Sequence, residues 1–313
     1  MRPYAITNDY TTIGMPPGIG DLHWIMAKLE SFKEINNIKK VKVVMNLGHQ
    51  DNKSFHDCSL EYLKLIPFVD SAESVIDEIP FEYSLAGGSG TSLFKNQGGC
   101  DYMIEFNSKL EQGAELKDIL PEYEINFDYP IDEPAESKEF AEEIKKKAGG
   151  KLALLFTGSV EGNDVWVKEL WTGRDWLELA RKIYGETKCN PVIIGARWDK
   201  SYYTERIKEL DTESVIYSVL GKTSVAHLFA LLRAASVLVA YQCGVVMTAT
   251  KFRTPTAGFW PIKSKANPYG QFKRHFMRNW LPPWADDVGF MPFGFGDKDA
   301  TPDGVFSAIR RYL

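Results

Sequence analysis

Long apolar runs are missing from this chain. The best candidate, "VAHLFALLRAASVLVAY" at 225–241, is interrupted by Arg233 and falls short of the ~18–20 residues a membrane-spanning helix needs. It reads as a helix followed by a strand. Cysteine is scarce: the 4 residues Cys58, Cys100, Cys189 and Cys243 are far apart, so no C-x-x-C zinc or redox pair exists. Without a disulfide framework or a secretory-signal pattern, the expectation is a cytoplasmic protein, with a peripheral position on a membrane surface left open. Excess positive charge is also absent. A formal net charge of -5 excludes a protein basic all over, but not a local basic groove.

The usual phosphate loops are absent too. "PGIGDLHW" at 17–24 gives G-x-G from Gly18 and Gly20, but Asp21 follows where a dinucleotide fold or a P-loop would continue differently. A carboxylate there would repel a pyrophosphate. Asp21 is either a helix N-cap, a role Asp favours, or an acid that does chemistry. No D-x-D sequence suited to a metal–diphosphate site is evident, so no metal is expected, and no cofactor beyond a co-substrate.

What is present is ordinary globular composition, 44% apolar and 25% charged, and 313 residues suffice for one large or two ordinary domains. In the first half, "YAI" at 4–6, "VKVVMNL" at 41–47 and "YMIEFN" at 102–107 read as strands. Residues 22–35 and 59–67 read as helices, and the glycine-rich 85–99 as a loop. The charged, proline-punctuated stretch 127–150 ends at Gly149-Gly150 and marks a boundary. The second half restarts with strands at 151–159, 191–196, 214–220, 236–241 and a final one at 255–260. Helices alternate with them at 173–184, 200–210, 224–235 and from 245. Such alternation implies parallel sheets covered on both faces, with ligands at the carboxyl ends of the strands. The expected fold is α/β with two Rossmann-like parallel-sheet domains facing a central cleft. Their spans are 1–148 and 149–295, with a C-terminal helix at 296–313 packing back on the first.

Chemistry-bearing residues follow those strand ends. "TGS" at 157–159 offers Gly158, Ser159 and backbone amides to a phosphate, with Lys168 a nearby point charge. Asp199 in "GARWD" could accept from ribose hydroxyls or cap a helix. Lys222 and Thr223 lie in "GKTS", where Ser224 suits an N-cap. In "YQCGVVM", Gln242 and Cys243 precede Gly244 and the amides of Val245 and Val246, a helix start that suits an anion. Each signal alone has an ordinary structural explanation. Together on one edge they argue for a diphosphate-bearing, nucleotide-like ligand.

The second half resembles the donor-binding domain of family 9 glycosyltransferases, the lipopolysaccharide heptosyltransferase group of the GT-B fold. The likeness rests on "TGS", "KELW" at 168–171, "GRDWLELARKI" at 173–183, "VIIGA", "VLGKTSVAHLFALLRAASVLVA" at 219–240, "FRTPTAGFWPI", "NPYG" and "TPDGVFSAIRRYL". At the other end, "GIGDLHWIMAKLESFK" resembles the family's "GD" motif and following helix. The resemblance implies a transferase that moves a sugar from a nucleotide-diphosphate sugar, an ADP-sugar first, to an acceptor hydroxyl. It implies Asp21 as general base and Lys168 as the charge that steadies the leaving diphosphate. Gly158, Ser159, Asp199, Lys222, Thr223, Gln242, Cys243, Gly244, Val245 and Met247 would hold the donor, and Gly20 and His23 would meet the acceptor. One departure stands out. Where the family pattern is roughly D-[ST]-G-x-x-H, this chain has Gln242, Cys243, Gly244 and Met247, so the acid and the histidine are replaced.

Residues 263–280 carry Lys263, Lys265, Lys273, Arg274 and Arg278 among aromatics, with no acid. Lys273 and Arg274 are candidate acceptor contacts, for a phosphorylated glycolipid core or for nucleic acid. A solvated loop explains the same pattern. Three classes stay open: an active glycosyltransferase on glycolipid or on modified DNA bases, a nucleotide-sugar binder without catalysis, and another two-domain α/β enzyme such as an epimerase.

Overall fold

Strand–helix alternation becomes two separate sheets, one in each of two units, Met1–Asp132 and Glu133–Leu313. The computed structural model describes residues 9–46, 53–75, 92–97, 99–106, 109, 114–158, 171–200, 207–208, 210–241, 243–260, 281–294 and 297–313. The strand expected at 4–6 lies outside them. No helix among the described residues is long and apolar enough to cross a membrane.

The first unit contains β1 (Thr11–Met15), α1 (Ile19–Ile35), β2 (Val41–Asn46), α2 (Lys53–Lys64), β3 (Ser71–Val75), β4 (Leu93–Gln97) and β5 (Cys100–Ile104). Its strand order is β3-β2-β1-β5-β4. The pairs β3–β2, β2–β1 and β1–β5 are parallel, and β4 runs antiparallel to β5. Leu93–Gln97 was expected to be loop. Its glycine-rich flank hides a short polar strand that needs only the β5 edge to form. Val41, Val43, Val44 and Met45 of β2 are all buried, the near-continuous apolar pattern of a strand covered on both faces.

Every residue of α1 from Leu22 to Leu29 is buried, so this helix is enclosed rather than amphipathic. Residues 119–129 help to cover it. The Ala27 carbonyl accepts from the Asn126 N–H at 2.7 Å. Lys28 Nζ donates to the carbonyls of Ile119 and, at 3.0 Å, Leu120. His23 Nδ1 and the Tyr129 hydroxyl share a hydrogen bond of 2.6 Å, and Tyr129 is bonded in turn to the Tyr62 hydroxyl. Burial raises both phenols above their ordinary range.

The second unit contains α3 (Ala135–Lys147), β6 (Ala153–Phe156), α4 (Gly173–Thr187), β7 (Val192–Ile193), β8 (Tyr217–Ser218), α5 (Val225–Ala234), β9 (Val237–Tyr241), α6 (Gly244–Lys251), β10 (Thr256–Trp260), β11 (Phe290–Gly294) and α7 (Pro302–Ile309). The sheet order is β11-β10-β9-β6-β7-β8, with every pair parallel. The core gathers Trp176, Leu179, Ile193, Val239 and Phe259.

Two expectations change here. The units divide between Asp132 and Glu133, ahead of the boundary expected at 148/149. Gly149 and Gly150 (φ +98° and +105°) form a helix-stop turn, and α3 before them packs on α5. There the Phe140 ring stacks on His227 at 4.3 Å, and Arg233 pairs with Glu133 at 3.4 Å. Second, β10 is not the final strand. Phe290–Gly294 supply β11, where Pro292 is tolerated because the strand is at the edge. Val305 and Ile309 of α7 are fully buried in the second unit's own core. Lys182–Asp303 (2.6 Å) and Arg310–Glu186 (3.1 Å) ion pairs fasten the helix to α4.

Candidate functional site

Each sheet has one place where strand order reverses, and open α/β sheets bind ligands outside the carboxyl ends of the strands at such a place. In the second unit it falls between β6 and β9: β7 and β8 lie on one side, β10 and β11 on the other. Phe156 stands opposite Ala240 in the ladder, so Thr157-Gly158 and Tyr241 leave the sheet side by side.

Gly158 has φ +70°, a left-handed conformation, and a Cβ built on it would lie 2.9 Å from Tyr241 Cδ2. Only a bare backbone fits against that ring. Trp176 Nε1 donates to the Tyr241 hydroxyl at 3.1 Å, and the two rings meet edge-to-face at 5.3 Å. Beside Gly158, Thr157 is 2% exposed and its hydroxyl has no hydrogen-bond partner among the described residues. A buried polar atom of this kind is costly unless something else satisfies it.

The Cys243 backbone caps α6, and the helix then begins at Gly244. Its first amides and the helix dipole favour an anion at this end. Burial pushes the Cys243 thiol up to about 12; the Val246 and Val245 N–H groups pull the other way, and the Asp199 charge adds to the rise. The thiol is therefore neutral near pH 7. Val245 and Met247 are buried, so Met247 fills core space where the resemblance has a histidine.

Asp199 is buried, and its Oδ2 accepts from the Ala196 N–H at 2.6 Å. It closes its own short turn, Arg197–Asp199, lying so near Gly195 that a Cβ there would be 2.7 Å from Oδ2. This is the capping alternative that the sequence left open. Lys222 is exposed and Thr223 half-buried. Ser224 caps α5 as expected, its Oγ accepting from the His227 N–H at 3.2 Å while His227 Nδ1 accepts from the Ser224 N–H.

In the first unit the reversal falls between β1 and β5, and β1 leads directly into the glycine turn and α1. Gly18, at φ 118°, occupies the N-cap position, and its N–H donates to Ser59 Oγ at 3.2 Å. Asp21 is thus not the cap. It sits with Gly20 inside the first turn, half-buried, where the dipole favours a negative charge. His23, expected at an acceptor site, is fully buried against Tyr129 and Phe127. Its position on an enclosed helix turns it into the core.

No protein-family pattern matches the chain, and no curated protein does. Solved structures do match. E. coli ADP-heptose lps heptosyltransferase II superposes with TM-score 0.62 at 13% identity, over 96% of this chain and 98% of that one. A family 9 glycosyl transferase from Veillonella parvula gives TM-score 0.56 at 12% identity, over 97% and 90%. E. coli heptosyltransferase WaaC with ADP gives 0.53 at 11%, over 97% and 100%.

The chain has the GT-B fold. In this GT-B chain Gly158, Cys243, Gly244 and Val245 meet at the reversal of the second sheet, and Gly20 and Asp21 stand at that of the first. Asp199 closes its own turn through Oδ2, and Lys222 and Thr223 lie farther along the edge, after β8. Ser159, Lys168, Gln242, Lys273 and Arg274 lie outside the described residues. Sequence reasoning passed over Thr157.

Proposed function

We propose that this chain is a glycosyltransferase that moves a sugar from a nucleotide-diphosphate sugar, an ADP-sugar first, to an acceptor hydroxyl. The observation that carries the reading is the reversal point of the second sheet. There a glycine backbone, an unsatisfied Thr157 hydroxyl and a helix N-terminus converge, in a chain that shares its fold with heptosyltransferases over nearly its whole length. WaaC was solved with ADP, which supports ADP as the nucleotide.

The roles divide by unit. Gly158, Ser159 and the amides of Gly244 and Val245 hold the diphosphate. Lys168 stabilises the charge that grows on it as the sugar departs. Asp21 takes the proton from the acceptor hydroxyl as that oxygen attacks the anomeric carbon. With lysine and amides neutralising the leaving group, the reaction needs no metal. The acceptor is a glycolipid core or a nucleic acid, held by the basic segment that includes Lys273 and Arg274.

Thermal shift against nucleotides and nucleotide sugars tests the reading. A ligand at 100 times its Kd stabilises by about 2.7 kcal/mol. Lys168→Ala removes the shift, whereas Asp21→Asn keeps it and lowers transfer by about 10²–10⁴. The absence of any shift overturns the reading. A second reading, binding without transfer, is favoured by Gln242 and by the buried Met247 in place of an acid and a histidine. A nucleotide-sugar shift with no donor turnover, in wild type as in Asp21→Asn, selects it.

A further inference from the structure

Ser59 lies in the interior of α2, where serine is a poor helix former because its hydroxyl competes for backbone groups. It is 1% exposed. Its Oγ accepts from the Gly18 N–H at 3.2 Å, across 41 residues of sequence. A residue that breaks a local rule and reaches another element points to a role at that element. Here the element is the start of α1. Gly18 is its N-cap, at φ 118°, and no side chain of α1 caps that end. The turn "GIGD" at 18–21 holds two glycines, which give its backbone wide freedom. Gly18 is buried, so its N–H needs a protein acceptor, and Ser59 is that acceptor.

A second contact comes from the same face of α2. Tyr62 lies one turn beyond Ser59 and is fully buried. Its hydroxyl is bonded to that of Tyr129, which shares a hydrogen bond with His23 of α1. α1 is therefore held on both sides of Asp21, at Gly18 before it and at His23 after it. The Leu22 N–H closes the first helical bond on the Gly18 carbonyl at 2.9 Å. Whatever fixes Gly18 thus fixes the start of the turn that carries Asp21.

We propose that Ser59 is a positioning residue: it fixes the Gly18 backbone, and through it the turn that aims the Asp21 carboxylate, without touching substrate. The consequence for rate rests on the reading of Asp21 as general base. A base acts only within hydrogen-bond reach of the hydroxyl that it deprotonates. A displacement of about 1 Å costs on the order of 10²-fold in rate. The donor is held by the second unit in that reading, so its affinity does not pass through this contact.

Two measurements on the full chain, with Ser59→Ala and Ser59→Thr, test it. The first is amide hydrogen exchange read by mass spectrometry, which needs no ligand. In Ser59→Ala, peptides covering 16–24 are expected to exchange at least about tenfold faster, while those covering β2 keep the wild-type rate. Threonine keeps the acceptor oxygen, and Ser59→Thr returns the exchange toward wild type. The second is steady-state release of ADP from ADP-heptose. Ser59→Ala is expected to lower kcat by about 10–10²-fold with KM for the donor within about twofold, and Ser59→Thr to restore kcat. Unchanged exchange at 16–24, faster exchange over the whole unit, a threonine variant no closer to wild type than alanine, or a wild-type kcat in Ser59→Ala overturns the proposal. Absence of ADP release by wild type counts against the transferase reading alone. The exchange result then still decides whether Ser59 fixes the turn, so the two proposals fail separately.

Discussion

Gly158 lies so close to Tyr241 that a single added carbon would come within 2.9 Å of the ring. Gly158→Ala meets both that clash and a left-handed φ. It is expected to destabilise the second unit by about 1–3 kcal/mol. Urea denaturation measures the loss, and the nucleotide-dependent thermal shift falls with it. An unchanged midpoint would show that Tyr241 can move aside, and that the contact does not shape the turn.

Trp176 joins the α4 helix to the end of β9 through the Tyr241 hydroxyl. It is fully buried. Trp176→Phe keeps most of the apolar volume and removes one donor to the Tyr241 hydroxyl, which still donates to the Trp171 carbonyl at 3.5 Å, at a cost of about 0.5–1.5 kcal/mol. Trp176→Ala adds a cavity and costs about 3–5 kcal/mol. The order of the two unfolding midpoints is the check.

Cys243 is a half-buried thiol that its surroundings push up to about 12, and the buried Cys100 is raised to about 11. Alkylation by iodoacetamide at pH 8, read residue by residue by mass spectrometry, is expected to leave both unmodified in the native state and to label both in urea. Rapid native labelling of Cys243 would contradict its raised thiol.

Lys28 supplies a pH dependence. Burial lowers its ammonium to about 8 from 10.5, with Glu122 and Asp118 acting the other way. Between those values the unfolded chain binds more protons than the folded one, so stability contributed by this group rises with pH across the window. That contribution is complete above the unfolded value and lost as pH falls through 8. Urea unfolding of wild type and Lys28→Met should therefore diverge in favour of wild type between pH 7.5 and 10.5. Parallel curves would place the ammonium in water.

The second sheet was readable because its central strands are almost pure apolar runs. Ala153–Phe156, Val237–Tyr241 and Thr256–Trp260 need no partner to be recognised. The edges were not. "SAESV" and "LFKNQ" are polar because edge-proximal strands can face water, and β11 was masked by Pro292. Among the site residues, glycines at strand ends were legible, since a turn beside a ligand needs them. Asp21 was recognisable as a helix-start acid, but the glycine N-cap was not, because φ at Gly18 is set by the Ser59 contact from α2. His23 misled because an enclosed helix buries polar and apolar residues alike.

The placement of α7 governs how this chain can be made. The core around Trp176 and Phe259 is completed by Val305 and Ile309, near the far end of the sequence. Among the described residues, the first unit has its sheet by Ile104 and its covering segment by Tyr129. A ribosome therefore releases a first unit that can fold while the second is still being synthesised. The second unit must wait, its apolar surface open, until the last turn of its final helix has been joined to the chain.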